Sequence, residues 1–301
     1  MNPAENSPKS LHRYFPASEN DKRWGLYVTT AGLSRIPPHA HYPPDGHPAG
    51  YDFNFKTGRI LDEIVMVYIS KGQGWFESKC SRRQKVTAGQ VFLLFPGVWH
   101  RYMPDAATGW DEHWVGFDGD LPRRWIKEKF FSPKTPVLPA GRENFLLGCF
   151  TGLMETIRAN PPAMQQILSG NVMNIAGWLC SARQIPSAPG DQPAAPIQEI
   201  LARLQNGFAA HIDIRQLARE IGVSYSWLRH NFSQHTGFAP HQYLLELRMA
   251  CARNLLATTA RPVKEIAAQS GFADEHYFSR IFKNRVGVTP NQWRDRSRHA
   301  G

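Results

Sequence analysis

The last third of the chain carries one pattern twice, and an internal repeat constrains the architecture before any single residue does. The first copy, IRQLAREIGVSYSWLRHNFSQHTGFAP, runs from Ile214 to Pro240, and the second, VKEIAAQSGFADEHYFSRIFKNRVGVTP, from Val263 to Pro290. Leu217-Ala218 answers Ile266-Ala267 and Gly222 answers Gly271 at an offset of 49; Phe232/Phe282, Gly237/Gly287 and Pro240/Pro290 follow at an offset of 50. Each copy predicts a short helix, a tight turn and a second helix. In the first helix an apolar residue and an alanine face the partner. Glycine then stands where the helix must end, because it enters the left-handed region without a Cβ penalty. Ser224 and Asp274 occupy the cap position of the next helix. Leu228 with Phe232, and Phe278 with Ile281 and Phe282, mark its buried stripe.

That stripe leaves Ser226, Arg229, His230 and Ser233 outward in the first copy, and Glu275, His276, Ser279, Arg280 and Lys283 in the second. This is the helix-turn-helix arrangement, whose second helix enters a major groove. Paired amphipathic helices also occur in bundles that never touch DNA, so charge has to separate the two. From Ile197 to Gly301 there are 14 Lys+Arg against 8 Asp+Glu, a net of +6, with six histidines besides. Such basic surface supplies the counterion-release contribution to DNA affinity.

The stretch resembles the double helix-turn-helix domain of AraC/XylS-type transcription regulators. IAAQSGFADEHYFSRIFKNRVGVTPNQWR (Ile266–Arg294) has the family's IA pair, GF, YFSR, FK, G, TP and final aromatic-Arg. Phe238-Ala239-Pro240 replaces the usual Ser-Pro step, and His230-Asn231 are unusual in the first reading helix. These departures bear on base preference rather than on the domain.

At 301 residues two domains are the natural expectation. A hydrophobic fraction of 42% and a charged fraction of 20% are ordinary globular values, and the net charge of +10 fits a polyanionic partner. No apolar run approaches the length of a membrane span, and MNPAENSPKS has no apolar core of a secretory signal. Cys80, Cys149, Cys180 and Cys251 are scattered, as in a reducing compartment. A cytoplasmic location is therefore expected.

Residues 1 to about 20 read as a loose polar arm. Trp24–Thr30 reads as a first strand, followed by a loop rich in Pro, His and Gly. Short strands then come at close intervals in ILDEIVMVYIS, GWFESKC, QKVTAGQVFLLFPG and DEHWVGFDG, with turns at Lys71-Gly72-Gln73-Gly74, Ala88-Gly89-Gln90 and Pro96-Gly97. This spacing argues a β-sandwich or jelly roll. From Arg123 the pattern turns helical. The expected fold class is α+β multidomain: a β jelly roll over 1–135, cupin-like as the resemblance to AraC-type regulators implies, a helical dimerisation or packing segment over 136–185, a Pro-rich linker over 186–196, and an all-α double helix-turn-helix domain over 197–301. The stripe Ile167, Leu168, Val172, Ile175, Ala176, Leu179 either packs on its own barrel or joins two subunits. In the second case, an acidic residue at Leu168 would separate a dimer.

The front of the chain also resembles the family's ligand-binding domain, in GQGWFE (Gly72–Glu77), LLFPGVWHRY (Leu93–Tyr102) and WDEHWVGFDG (Trp110–Gly119). Many cupins hold metals, yet His100 is the one histidine in the later motif position, and LDEIVMVYI lacks the earlier His-x-His and Glu. His39 and His41 lie in a proline-rich loop. No metal and no cofactor is expected. A pocket suits the same residues better. Alternation puts Trp110, Glu112 and Trp114 on one face of a strand and Asp111, His113 and Val115 on the other. An indole stacks on sugar C–H faces while a carboxylate accepts hydroxyl hydrogen bonds. The resemblance implicates Tyr102, Glu112 and Trp114. Arg59 is either a further contact or a solvated turn residue.

The resulting expectation is a non-enzymatic, sequence-specific transcription regulator controlled by a small-molecule effector, with a sugar as the expected class. Base reading falls to Ser226, Arg229, His230, Glu275, His276, Ser279 and Arg280, and phosphate holding to Ser224, Asp274 and Lys283. Effector contacts fall to Arg59, Tyr102, Trp110, Glu112 and Trp114. Expected partners are an operator duplex, the effector, a second copy of the chain as the resemblance implies, and RNA polymerase as a further candidate. The alternative is a sugar-active or metal-dependent cupin enzyme fused to a DNA anchor.

Overall fold

The computed structural model describes residues 9–43, 55–140, 144–182 and 194–299, and the chain divides into two compact units, Met1–Pro186 and Ser187–Gly301. The first unit opens with strand β1 (Lys9–Tyr14), a short helix α1 (Glu19–Arg23) and β2 (Tyr27–Ile36). β1 and α1 stand where the later part of a loose arm was expected, and the strand expected at Trp24–Thr30 is present but starts at Tyr27 and runs on to Ile36. β1 pairs antiparallel with β2, Lys9 opposite Arg35 and Tyr14 opposite Thr30. Ser18 and Asp21 form a capping box that starts α1, and Trp24 caps its end, 62% exposed. An edge strand is ordered by backbone hydrogen bonds to its neighbour, so KSLHRY needs little apolar alternation to form one.

Next come β3 (Ile64–Ser78), β4 (Ser81–Thr87), β5 (Gln90–Leu94), β6 (His100–Pro104), β7 (Trp110–Asp118), α2 (Asp120–Lys127), β8 (Val137–Pro139), α3 (Asn144–Ala159) and α4 (Met164–Ala182). The strand order is β1-β2-β7-β3-β5-β8, with β4 and β6 also paired to β3. β3 serves both halves of the jelly roll: its first part pairs with β5 and β7, its second with β4 and β6. The turn expected at Lys71–Gly74 is instead a bend within this one strand. The register shifts between Ile69 and Lys71, and Gly72 has φ 79°. A Cβ on Gly72 would strike the Gly109 carbonyl, and one on Gly74 the Met103 carbonyl, so glycine is what lets the strand pass from one sheet to the other. β8, three residues bonded to β5, lies inside the stretch expected to be wholly helical.

The sheet buries both faces. Inside the barrel lie Val65, Val67, Ile69, Phe76, Val86, Phe92, Leu94, Tyr102 and Trp110. On the opposite face Met66, Tyr68, Val115 and Phe117 pack with Leu146, Phe150 and Leu153 of α3 and Leu168, Val172, Ile175 and Leu179 of α4. The α4 stripe therefore belongs to its own protomer's core, and Leu168 is completely buried there. Side chains lock the register: Gln165 accepts from the Val28 N–H at 2.9 Å and donates to the Val28 carbonyl at 3.0 Å, while Ser169 donates to the Leu26 carbonyl at 2.7 Å. An acid at Leu168 would break the fold rather than a dimer. Ile167, by contrast, is 45% exposed.

The second unit holds α5 (Ala194–Gly207), α6 (Ile214–Glu220), α7 (Tyr225–Thr236), α8 (Pro240–Thr258), α9 (Val263–Gln269), α10 (Glu275–Val286) and α11 (Pro290–His299). Most of the expected linker lies outside the described residues, but Ala194–Pro196 already belong to α5, where proline is tolerated in the first turn. The four repeat glycines, Gly222, Gly237, Gly271 and Gly287, have φ 80°, 76°, 84° and 85°, ending helices as the repeat predicts. One core gathers α5, α6, α7 and Leu244; the other gathers Met249, Ala252 and Leu256 with α9 and α10. α8 thus runs through both copies. Arg248 on it donates to the carbonyls of Phe208 and Ala210 at 2.8 and 2.9 Å, holding the two copies at a fixed separation.

Candidate functional site

In the first unit β7 decides which side chains enter the barrel. Trp110 and Glu112 are buried there with half-buried Trp114, whereas His113 turns to the helix face against Tyr68 and Phe150, and Asp111 pairs with Arg35 at 3.3 Å. Glu112 is 6% exposed, and the Tyr42 hydroxyl donates to its Oε2 at 3.3 Å. Burial raises its pKa to about 8, against the smaller opposing effects of the Tyr42 hydrogen bond and the Arg59 charge.

Arg59 is no solvated turn residue. Its backbone pairs with His100, its Nη2 donates to the Tyr102 hydroxyl at 2.8 Å, and its guanidinium lies 5.8 Å from that ring's centre. His100, 1% exposed, stacks on Tyr102. Burial depresses its pKa to about 4, so the neutral ring donates through Nδ1 to the Val98 carbonyl at 3.0 Å. Its Nε2 lone pair has no partner among the described residues. Trp110 packs among Tyr42, Phe92 and Tyr102. With 1% exposure its ring faces are taken, and its Nε1 makes no well-formed hydrogen bond although it helps to hold the Glu112 carboxylate. No face of the Trp110 ring is therefore open for a ligand to stack on. The half-buried Trp114 ring lies over Gly32, where any Cβ would strike it.

The structure thus gathers Arg59, Tyr102, Trp110, Glu112 and Trp114 in one place and adds two residues the sequence reading left out. His100 was weighed as a metal ligand and then as part of the pocket cluster with Arg101 and Tyr102, without an effector role of its own. Tyr42 sits in an aperiodic loop and gave no signal. Among the described residues no three His, Cys, Asp or Glu side chains converge as metal ligands would.

A stability test follows from the Glu112 environment. Below its ordinary value of 4.5, folded and unfolded states both carry the proton. Between there and about 8 only the folded state keeps it, so stability declines as pH rises through that window. Glu112→Gln should remove this slope, melting at or above the parent near about pH 9 with a smaller advantage near about pH 5. Parallel melting profiles in the two proteins would refute the buried, protonated carboxyl.

In the second unit, Leu228 and Phe232 of α7 and Phe278 and Phe282 of α10 face inward. Ser226, Arg229 and His230 are exposed and, with Tyr225, Ser233 and Gln234, line a surface depression of about 610 Å³. On α10, His276, Arg280 and Lys283 are exposed while Glu275 and Ser279 are half-buried. Two rings the sequence reading passed over steady this surface: Arg215 lies 4.6 Å from the Tyr225 ring centre and Arg280 lies 5.7 Å from that of Tyr277. Ser224 and Asp274 are the caps, accepting from the Trp227 and Tyr277 amides at 3.1 and 2.6 Å. Each cap side chain takes one of the amides at the start of its helix, and these are the helix starts at which phosphate holding was expected.

Residues 41–221 match the family model of an AraC-like ligand binding domain, and residues 217–296 that of a helix-turn-helix domain. The first match covers more than half of the chain. The chain belongs to the AraC family of transcription regulators. Its AraC-type relatives include the MmsAB operon regulatory protein of Pseudomonas aeruginosa, 27% identical over 241 residues, 79% of this chain and 76% of that one. The raffinose operon transcriptional regulatory protein of Pediococcus pentosaceus is 22% identical over 249 residues, covering 81% and 88%. The lactose operon transcription activator of Staphylococcus xylosus is 23% identical over 250 residues, covering 81% and 86%. In this AraC-family chain no helix among the described residues is long and apolar enough to cross a membrane.

Proposed function

We propose that this regulator reads an operator duplex through α7 and α10 and is controlled by a small uncharged polyhydroxyl ligand, a sugar, held inside the barrel. The observation that carries the ligand reading is the buried polar set within an otherwise apolar barrel: Arg59 on Tyr102, Tyr42 on Glu112, and the His100 Nε2 without a partner. Buried polar atoms need partners, and a hydroxyl offers both a donor and an acceptor. Trp114 supplies the apolar wall on which a pyranose C–H face stacks. Two of the relatives carry the names of sugar operons, which agrees with this class. A thermal-shift screen of mono- and disaccharides on the full chain tests it: a saturable rise in melting temperature is expected with at least one, and lost in Trp114→Ala. Saturation instead by a carboxylate or phosphate ligand, with no sugar effect, would overturn the class.

Base reading we assign to Ser226, Arg229, His230, His276, Ser279 and Arg280, with Glu275 at the edge, and phosphate holding to Lys283 and to the free amides of the helix starts at Ser224 and Asp274. Arg280→Ala should weaken specific binding by about 1–3 kcal/mol and relax choice at one base pair, because guanidinium is guanine's usual bidentate partner. Lys283→Ala should weaken all sequences alike and flatten the salt slope. Equal operator affinity of Arg280→Ala and parent at matched salt would remove Arg280 from the readers. A homodimer we assign to the outer side of α4, where Ile167 and Met173 are 45% and 46% exposed.

A further inference from the structure

The second half of the jelly roll has an outer face that the effector reading does not use. β4 and β6 flank the end of β3, with Trp75 opposite both Lys85 and Met103, and Glu77 opposite Arg101. Val86, Phe76 and Tyr102 point into the barrel, so alternation turns Trp75, Glu77, Arg83, Lys85 and Arg101 outward. On this face cations and rings interleave. Arg83 lies 4.7 Å from the Trp75 ring centre and 6.0 Å from that of Phe55; Arg101 lies 5.0 Å from Phe55 and 5.5 Å from Trp99.

The hairpin joining β3 to β4 reads SKCSRRQK, and Lys79, Arg82, Arg83 and Lys85 are all exposed. None of these four has an ion pair among the described residues. The one acid of the face, Glu77, is already occupied by Arg101, at 2.7 Å. Four positive charges on one short hairpin, with no acid paired to them among the described residues, repel one another, so their natural complement is an anion of comparable charge density.

We propose that this face is a second, sequence-independent docking surface for the phosphate backbone of double-stranded DNA. It goes beyond the effector reading and rests only on DNA binding by the second unit. Single-stranded nucleic acid would need open ring faces on which to stack bases. Here the guanidiniums of Arg83 and Arg101 already lie over Trp75, Phe55 and Trp99. A stacked guanidinium keeps its in-plane N–H groups free and loses little further freedom on meeting a phosphate. Arg83, with no hydrogen bond of its own among the described residues, is the principal contact; Arg82 and Lys85 add charge beside it. Because both units belong to one chain, a duplex long enough to meet both is bound more tightly than by either alone.

The test uses the full chain and mixed-sequence duplexes, one just long enough for two reading helices one turn apart, about 20 base pairs, and one of about 60. The variant R82S/R83S/K85S should bind the short duplex as the parent does. On the long duplex its plot of log affinity against log salt should be flatter by about 0.9 per lost phosphate contact, about 2–3 in all. R83K should recover most of that slope. Lys283→Ala should flatten the slope on both duplexes, which reports on the second unit independently. Equal slopes for the triple variant and the parent on the long duplex, with the Lys283→Ala effect intact, would overturn the proposal. So would a triple variant weakened equally on both lengths. If the parent bound neither duplex, the reading of α7 and α10 would fall first.

Discussion

Leu168→Asp is expected to unfold the first unit rather than to separate two subunits. The residue is completely buried between α4 and the sheet, in a core shared with Val172, Ile175 and Leu179. The substitution deletes a packed side chain and asks a carboxyl group to sit among apolar neighbours with no partner. Together these cost at least about 4–5 kcal/mol, against a typical domain stability of about 5–15 kcal/mol. Denaturant unfolding of the full chain should show the first unit's transition lost or shifted far down, while the helical second unit unfolds near its parent midpoint. Ile167→Asp is the contrasting variant. Its site is on the outer side of the same helix, so the melt should stay close to the parent, and light scattering should show a lower mass where two α4 helices join copies. A folded Leu168→Asp protein that merely changed mass would sink the assignment of the stripe to the protomer core.

The second large effect is expected at the barrel interior. Trp114→Ala and Glu112→Ala should each abolish the response to the effector while leaving basal operator affinity in place. A ligand shifts the DNA-bound population only by its differential affinity for the protein's two states, so removing its contacts removes the shift. In the proposed reading Trp114 is the stacking wall, and Glu112, with the Tyr42 hydroxyl on its Oε2, is the polar floor. DNA reading depends on cores around Leu228, Phe232, Phe278 and Phe282 in the other unit, which neither substitution touches. The measurement is operator affinity with and without the sugar found by thermal shift, in parent and both variants. A normal response in both would make these residues core and move the pocket elsewhere.

How much of this was readable beforehand depended on whether the signal was local. Helix, glycine, cap and stripe recur at fixed spacing in the repeat, because left-handed glycine, side-chain capping and i, i+4 burial are all set by neighbours within a few residues. Gly222 and Gly271 end α6 and α9, and Ser224 and Asp274 start α7 and α10, as that spacing predicts. Alternation likewise put Trp110 and Glu112 together on one face of β7. What the sequence could not decide were matters of what lies across from a residue. KSLHRY is a strand because β2 offers it a free edge. Lys71–Gly74 is a bend because Trp110 and the Gly109 carbonyl crowd its glycines. The α4 stripe is a stripe in either setting; its packing against the sheet, with Gln165 and Ser169 bonded to the Val28 and Leu26 backbone, assigns it to its own core. Tyr42, from an aperiodic loop, reaches a carboxylate seventy positions away. Local order is written by short-range sterics and capping, whereas partner choice at long separation exists only once the sheet has closed.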